Sequence, residues 1–312
     1  ASRPRRTRVA SSDSGVISTT PDGRSPLSST SARRVLQLVW QDRSARLALA
    51  FLFTLAAAAI AAPWLAPYDP LLPLDPVALK LAPPSGLHWF GTDVSSRDVF
   101  SRMLYGARVS LAVAALAAAL ASGLGLLYGG AAGFAGGRVE SMMMRLVDAL
   151  LAIPRILLLI TVLALWRSVD AGALILILGT TGWFVVARLA RAEAAALRDR
   201  DFVVAARALG AAPLRVFVRH VLPHAAGPVV VATTIAIGQV IVLEAGLSFL
   251  GYGIAQPTPT WGGIIRDGRE TIDSTWWLTL FPGLVLVGTA LAVNTLADRL
   301  RVALNPRQLP AP

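Results

Sequence analysis

Three ionisable side chains stand inside otherwise apolar runs of this 312-residue sequence: Asp148, Arg155 and Glu244. A charge placed in lipid is costly, so such groups mark ion or substrate paths. As carriers they would support ion-coupled transport by this chain acting alone. Their spacing argues otherwise. No second acid or histidine lies near them in sequence to complete a relay. Asp148 is expected at the membrane–water boundary, with Arg155 snorkelling to the same boundary on its long stem. Glu244 falls only about one helical turn from the end of its run. A structural placement is therefore preferred over proton or ion transfer for all three.

Other chemistries fail on composition. A P-loop needs Gly-Lys-Ser/Thr, and the single lysine, Lys80, sits in Leu79-Lys80-Leu81 with no glycine loop around it. ATP hydrolysis, if the chain depends on it, must reside in another subunit, and no cofactor is assigned to this one. The absence of cysteine removes disulfide and thiol chemistry. His88, His220 and His224 are too scattered for a metal site. Ser248, in Gly246-Leu247-Ser248-Phe249-Leu250-Gly251, lacks the Gly-x-Ser-x-Gly spacing of a nucleophile. No catalytic and no metal-ligating residue is assigned, which leaves a membrane-embedded enzyme without support. A non-transporting scaffold or sensor is the third class, and it would tolerate changes along the path between spans.

The elements that would hold these groups are membrane spans. The chain is 55% hydrophobic and 15% charged, against roughly 25% charged in soluble domains, and its mean hydropathy is +0.61. Apolar runs of spanning length cover about 47–68, 109–137, 146–166, 171–187, 225–247 and 274–297. The third is broken by Asp148, Pro154 and Arg155. This predicts an all-α membrane protein of six transmembrane helices. Residues 1–46 read as a disordered basic cytoplasmic tail, 69–108 as an extracytoplasmic loop, 109–300 as a five-helix core, and 301–312 as a cytoplasmic tail. The net charge of +11 is a topology signal rather than a nucleic-acid footprint, because nine arginines lie in the first 46 residues and six in 189–223. The chain is expected in a bacterial inner (plasma) membrane, in contact with lipid and with no nucleic acid, and both termini are expected on the cytoplasmic side.

Two patterns stand out within these elements. Ala117, Ala121, Gly125, Gly129, Gly133 and Gly137 recur every four residues, which lines one helix face with small side chains and lets another backbone approach. The stretch Asp201–Pro223 reads as two short helices joined by an elbow. Asp201 is a plausible N-cap. Phe202, Ala205, Ala206 and Leu209 make one apolar stripe, and Leu214, Phe217, Val218 and Val221 a second. Gly210 stands where a left-handed cap is needed. Pro213 can open the second helix and Pro223 stop it. Trp261, Trp276 and Trp277 suit the outer headgroup level, and the Gln256–Gly263 stretch could equally form an external gate.

These blocks resemble the C-type permease subunit of dipeptide/oligopeptide (and nickel) ABC importers over about residues 90–307. The likeness lies in Phe90-Gly91-Thr92-Asp93 through Arg97-Asp98 to Arg102, and in Glu244–Gly251 with Pro259-Thr260-Trp261-Gly262. It extends through Pro282-Gly283 to Asn294 and on to Asn305-Pro306-Arg307. Residues 202–223 are similar to the EAA loop, with Ala205, Ala206, Gly210, His220, Leu222 and Pro223 in register and Val204 in place of its glutamate. Ser95-Ser96 replaces a more usual Leu-Gly, and Ala297 a glycine.

The resemblance implies a type I importer permease fold with a cytoplasmic coupling-helix loop. It implies a second homologous permease, two P-loop ATPase subunits (or one two-domain ATPase) holding ATP and Mg, and an extracytoplasmic substrate-binding protein. It places ATPase coupling on Phe202, Val204, Ala205, Ala206, Leu209, Gly210, Leu214, Phe217, Leu222 and Pro223. The outer-loop motif falls on Gly91, Thr92, Asp93, Arg97, Asp98, Trp261 and Gly262. Cargo choice would lie mainly with the binding protein.

Overall fold

The structure is a computed structural model that describes residues 40–166 and 168–304. Most of the expected N-terminal tail and the Asn305-Pro306-Arg307 block lie outside the described residues. The helices are α1 (Arg43–Ile60), α2 (Ala62–Leu65), α3 (Val99–Ala135), α4 (Gly137–Leu151), α5 (Arg155–Ala164) and α6 (Ala171–Arg198). They continue with α7 (Asp201–Ala208), α8 (Pro213–Val216), α9 (Leu222–Phe249), α10 (Trp261–Asp267) and α11 (Trp277–Leu304). Among the described residues five helical stretches are long and apolar enough to cross a membrane, and the pair α4 and α5, bent by 74°, makes a sixth if it is counted as one broken span.

Several boundaries differ from the sequence reading. α3 begins at Val99, inside the expected outer loop, because Asp98 caps it by accepting from Ser101 N at 2.8 Å. The charged residues of its first turns are buried in pairs described below, so charge does not stop the helix. α1 ends at Ile60 rather than continuing to residue 68, and Pro63 opens the separate turn α2. α6 runs on to Arg198, well past its apolar run. Pro223 does not stop a helix. It falls in the first turn of α9, and a π turn over Phe217–Val221 joins α8 to α9 without a gap. A proline in a helix loses a donor and crowds the carbonyl four residues back, and the wider π turn occupies that position.

The core is built from α3, α6, α9 and α11. Its most extensive packing is α3 against α6. Along α3, Ala117, Ala121, Gly125, Gly129 and Gly133 are all buried. A Cβ at Gly129 would strike the backbone of Ala187, one at Gly133 the backbone of Arg191, and one at Gly125 the side chain of Val186. Facing residues on α6, Ala187, Ala190 and Ala194, are fully buried and equally small. Lipid offers no hydrophobic drive between helices, so this close backbone approach supplies dispersion contact instead. The stripe ends one step earlier than its spacing suggests. Gly136, at φ +70°, ends α3, and Gly137 opens α4 with nothing near its Cβ position.

Candidate functional site

At the α7 end of the bundle the chain builds a two-sided elbow. α7 closes with the Ala211 amide donating to Ala206 O at 3.1 Å and Gly210 N to Arg207 O at 2.9 Å. That pattern requires a left-handed residue, and Gly210 adopts φ +81°. Pro213 then opens α8 at its first turn. Arg200, not Asp201, is the N-cap residue of α7, and no side chain caps it.

One side of the elbow is internal. Val203, Val216, Phe217 and Val221 pack with Ala194, against Phe134 and Leu222. Phe217 was expected on an outward contact face; it is buried, 5.5 Å from the Phe134 ring, because the π turn rotates it inward. Ala206 is half-buried on the same side. The other side faces out: Leu209 is 88% exposed, Leu214 72%, Val204 52% and Phe202 38%. Ala205 is exposed on the same helix, and Arg200, Arg207, Arg215 and Arg219 are exposed along the elbow. Pro223 is half-buried, with Phe202 stacked 5.2 Å from the neighbouring His224 ring.

Ion pairs fix this end to the bundle. Glu140 of α4 pairs with Arg191 and, at 3.9 Å, with Arg198 of α6. Asp148 pairs with Arg188 at 2.5 Å, both side chains being more than half exposed. That pair lies on the surface of the described chain, whereas Glu244 is buried.

The opposite end is closed by a buried network of charge. Asp93 Oδ1 accepts from the amides of Ser95 and Arg97 at 2.8 and 2.9 Å, and its Oδ2 accepts from Arg97 Nε at 2.8 Å and from Arg102. Arg102 also donates to Asp267 Oδ2 at 2.9 Å, and Gln256 donates to Asp267 Oδ1 at 2.9 Å. His88 Nδ1 lies 3.1 Å from Asp98 Oδ1. Asp93, Arg97, Asp98 and Arg102 are all buried. Gly91, at φ +72°, leaves room for Trp277, whose indole donates to Thr92 O at 3.1 Å. Trp261 is also internal, donating to Met103 O at 3.3 Å. Of the three tryptophans expected at the headgroups, only Trp276 is exposed. Gly262 allows α10 onto α9, since a Cβ there would meet Ala245 and Ser248. Glu244 accepts from Ser248 Oγ at 2.8 Å and Ser110 Oγ at 3.4 Å, and Trp261 N donates to Ser110 Oγ at 3.3 Å. Glu244 thus ties α9, α3 and α10 together.

Residues 121–309 match the family model described as binding-protein-dependent transport system inner membrane component. The chain belongs to this family. It is 39% identical over 290 residues, 92% of this chain and 94% of the relative, to a putative peptide transport system permease protein of Brucella abortus. It is 38% identical over 260 residues, 83% of this chain and 79% of the relative, to the dipeptide transport system permease protein DppC of Bacillus subtilis. A putative peptide permease protein of Brucella suis is 37% identical over 279 residues, 89% of this chain and 90% of that one. The chain is a multi-pass membrane permease component, and its helical architecture is that of this family.

A further residue departs from its expected place. Arg155 does not snorkel to a boundary. Its Nη2 donates to Leu178 O at 2.9 Å, in the middle of the bundle. Gly182 makes the space, since a Cβ there would lie 2.9 Å from Arg155 Nη2. Sequence reasoning also missed Asp267, which only the fold brings to Arg102, and Gln239, an isolated polar residue in the apolar run of α9.

Proposed function

We propose that this chain is the membrane-spanning subunit through which an ATP-driven importer moves peptides of the dipeptide/oligopeptide class. It would pair with a second homologous permease. Two P-loop ATPase subunits, carrying ATP and Mg, would engage the elbow from the cytoplasm, and an extracytoplasmic binding protein would deliver cargo to the opposite end. Both termini would be cytoplasmic. The observation that carries this reading is the outward apolar patch of Phe202, Val204, Leu209 and Leu214 on a rigidly capped elbow. Large apolar side chains left exposed together mark an interaction surface. The relatives' printed names supply the cargo class.

The mechanism follows from continuity. α8, the π turn and α9 form one helical path from the elbow to the opposite end. Closure of the ATPase dimer on ATP binding would push the elbow, and the push would travel along this path into the packed core. The spans would then switch exposure as bodies, since packed cores are bistable rather than continuously deformable. Val204, where the resemblance expects glutamate, contributes apolar area to the patch and no charge. The ion-coupled alternative has no specific observation in its favour: Asp148 is paired at the surface and Glu244 is engaged by two serines.

Gly210→Asp tests this reading in cells carrying the whole importer. A Cβ at Gly210 meets nothing within 4 Å, so the substitution costs only the left-handed strain, about 1 kcal/mol. The expected result is a membrane-resident protein with peptide uptake abolished. Normal uptake would sink the assignment of the elbow as the lever.

A further inference from the structure

At mid-height the bundle holds a polar groove that neither end of the molecule requires. Arg155 of α5, Gln239 of α9 and Asn294 of α11 share its wall, with Gly238, Val242 and Gly246 as the apolar part; its volume is about 590 Å³. Arg155 also borders two adjoining cavities, one against Ala118 and Ala121 of α3 and one against Pro154 and Thr181. The residues around it, near 118, 182, 239 and 294, fall near the middles of α3, α6, α9 and α11. The guanidinium therefore lies well inside the bundle, away from both of its ends.

Its charge is not neutralised by any described residue. Among the described residues Arg155 forms no ion pair, its Nε has no hydrogen-bond partner, and its one acceptor is a backbone carbonyl. The two acids that lie within the apolar runs are engaged elsewhere: Asp148 with Arg188, Glu244 with Ser110 and Ser248. Gln239 and Asn294 are exposed on the groove face, and neither side chain hydrogen-bonds to another described residue. Three polar groups cannot face hydrocarbon at this depth without a large cost. The 74° break before Arg155 has the same meaning, because irregular backbone at membrane depth is tolerated only when covered by protein or lining a wet cavity.

We propose that this groove is the chain's part of the translocation path, and that Arg155, with Gln239 and Asn294, receives the carboxylate of the passing peptide. This rests on the importer reading above. The chemistry favours a transient anionic guest over a fixed acid of the second permease. The two neighbouring amides can donate to a carboxylate without cancelling the cation. The groove is also of ligand size, within the roughly 300–1,000 Å³ of small-molecule sites, whereas an interfacial ion pair needs no such space. One permanently charged group inside the bundle would hold a carboxylate briefly, offsetting its desolvation, and release it when the spans reopen.

The test uses the complete importer in proteoliposomes, with dialanine and a panel of other dipeptides as probes. Arg155→Gln should slow uptake about tenfold or more, as loss of a charge-assisted bond implies. Subunit co-purification and ATP hydrolysis stimulated by the loaded binding protein should stay unchanged. Arg155→Lys should retain most of the uptake. Because the chain has no cysteine, Arg155→Cys can be modified in an importer whose other subunits lack reactive thiols. A cationic methanethiosulfonate should restore uptake and an anionic one should not. Uptake by Arg155→Gln within twofold of wild type overturns the site. Loss of the second permease from that variant also overturns it, since Arg155 would then be an interfacial partner. A wild-type importer that moves none of the peptides overturns the peptide reading itself, and this site with it.

Discussion

The two ends of this permease solve opposite problems with similar residues. At the capped end, Asp93, Arg97, Arg102 and Asp267 are buried and bonded to one another, joining the start of α3 to the end of α10. At the α7 end, arginines and large apolar side chains are exposed together, and the tight packing lies on the inner side of the elbow. A buried, ion-paired network resists rearrangement, because any movement strands a charge in a medium that solvates it poorly. An exposed apolar patch on a capped elbow has its partner elsewhere. The contrast teaches where the chain is fixed and where it is built to be moved.

That contrast can be broken most violently at the capped end. Asp93→Asn keeps the shape but removes the charge shared by Arg97 and Arg102, and should destabilise the chain by about 3–5 kcal/mol. Thermal unfolding in detergent would read this as a lower midpoint; an unchanged midpoint would mean the network is decorative. At the other end Leu209→Glu with Leu214→Glu should behave oppositely. Both side chains are exposed, so stability should change by no more than about 0.5 kcal/mol. Capture of the ATPase by the purified permease should be lost, and retention of the ATPase would place docking elsewhere. The smallest effect is expected at Ser96, which takes φ +59° and buries an Oγ with no hydrogen-bond partner. Ser96→Gly should raise stability by about 1 kcal/mol, seen as a higher unfolding midpoint.

The same residues explain what could be read in the sequence. Uncharged runs located the spans, because lipid imposes a length and a composition on each helix. The left-handed cap at Gly210 was legible from local geometry alone. The early start of α3 was not, since Arg97, Arg102 and Asp98 look like loop residues until Asp267 arrives from 165 residues away to pair with Arg102. Pro223 misled for a related reason: a helix stop is a local rule, and a π turn carries the helix past it. Trp261 and Trp277 looked like interfacial anchors, yet their indoles find buried carbonyls that only the fold supplies. Arg155 looked like a snorkelling residue because sequence shows the stem length of an arginine but not the glycine, Gly182, that makes space for its head.

The most direct test of the account is what this chain holds when purified from gently solubilised membranes, measured by quantitative mass spectrometry. The account predicts a second six-span permease and P-loop ATPase subunits, with the ATPases absent when Leu209 and Leu214 are replaced by glutamate. Recovery of the chain alone, active in liposomes without ATP, would contradict it.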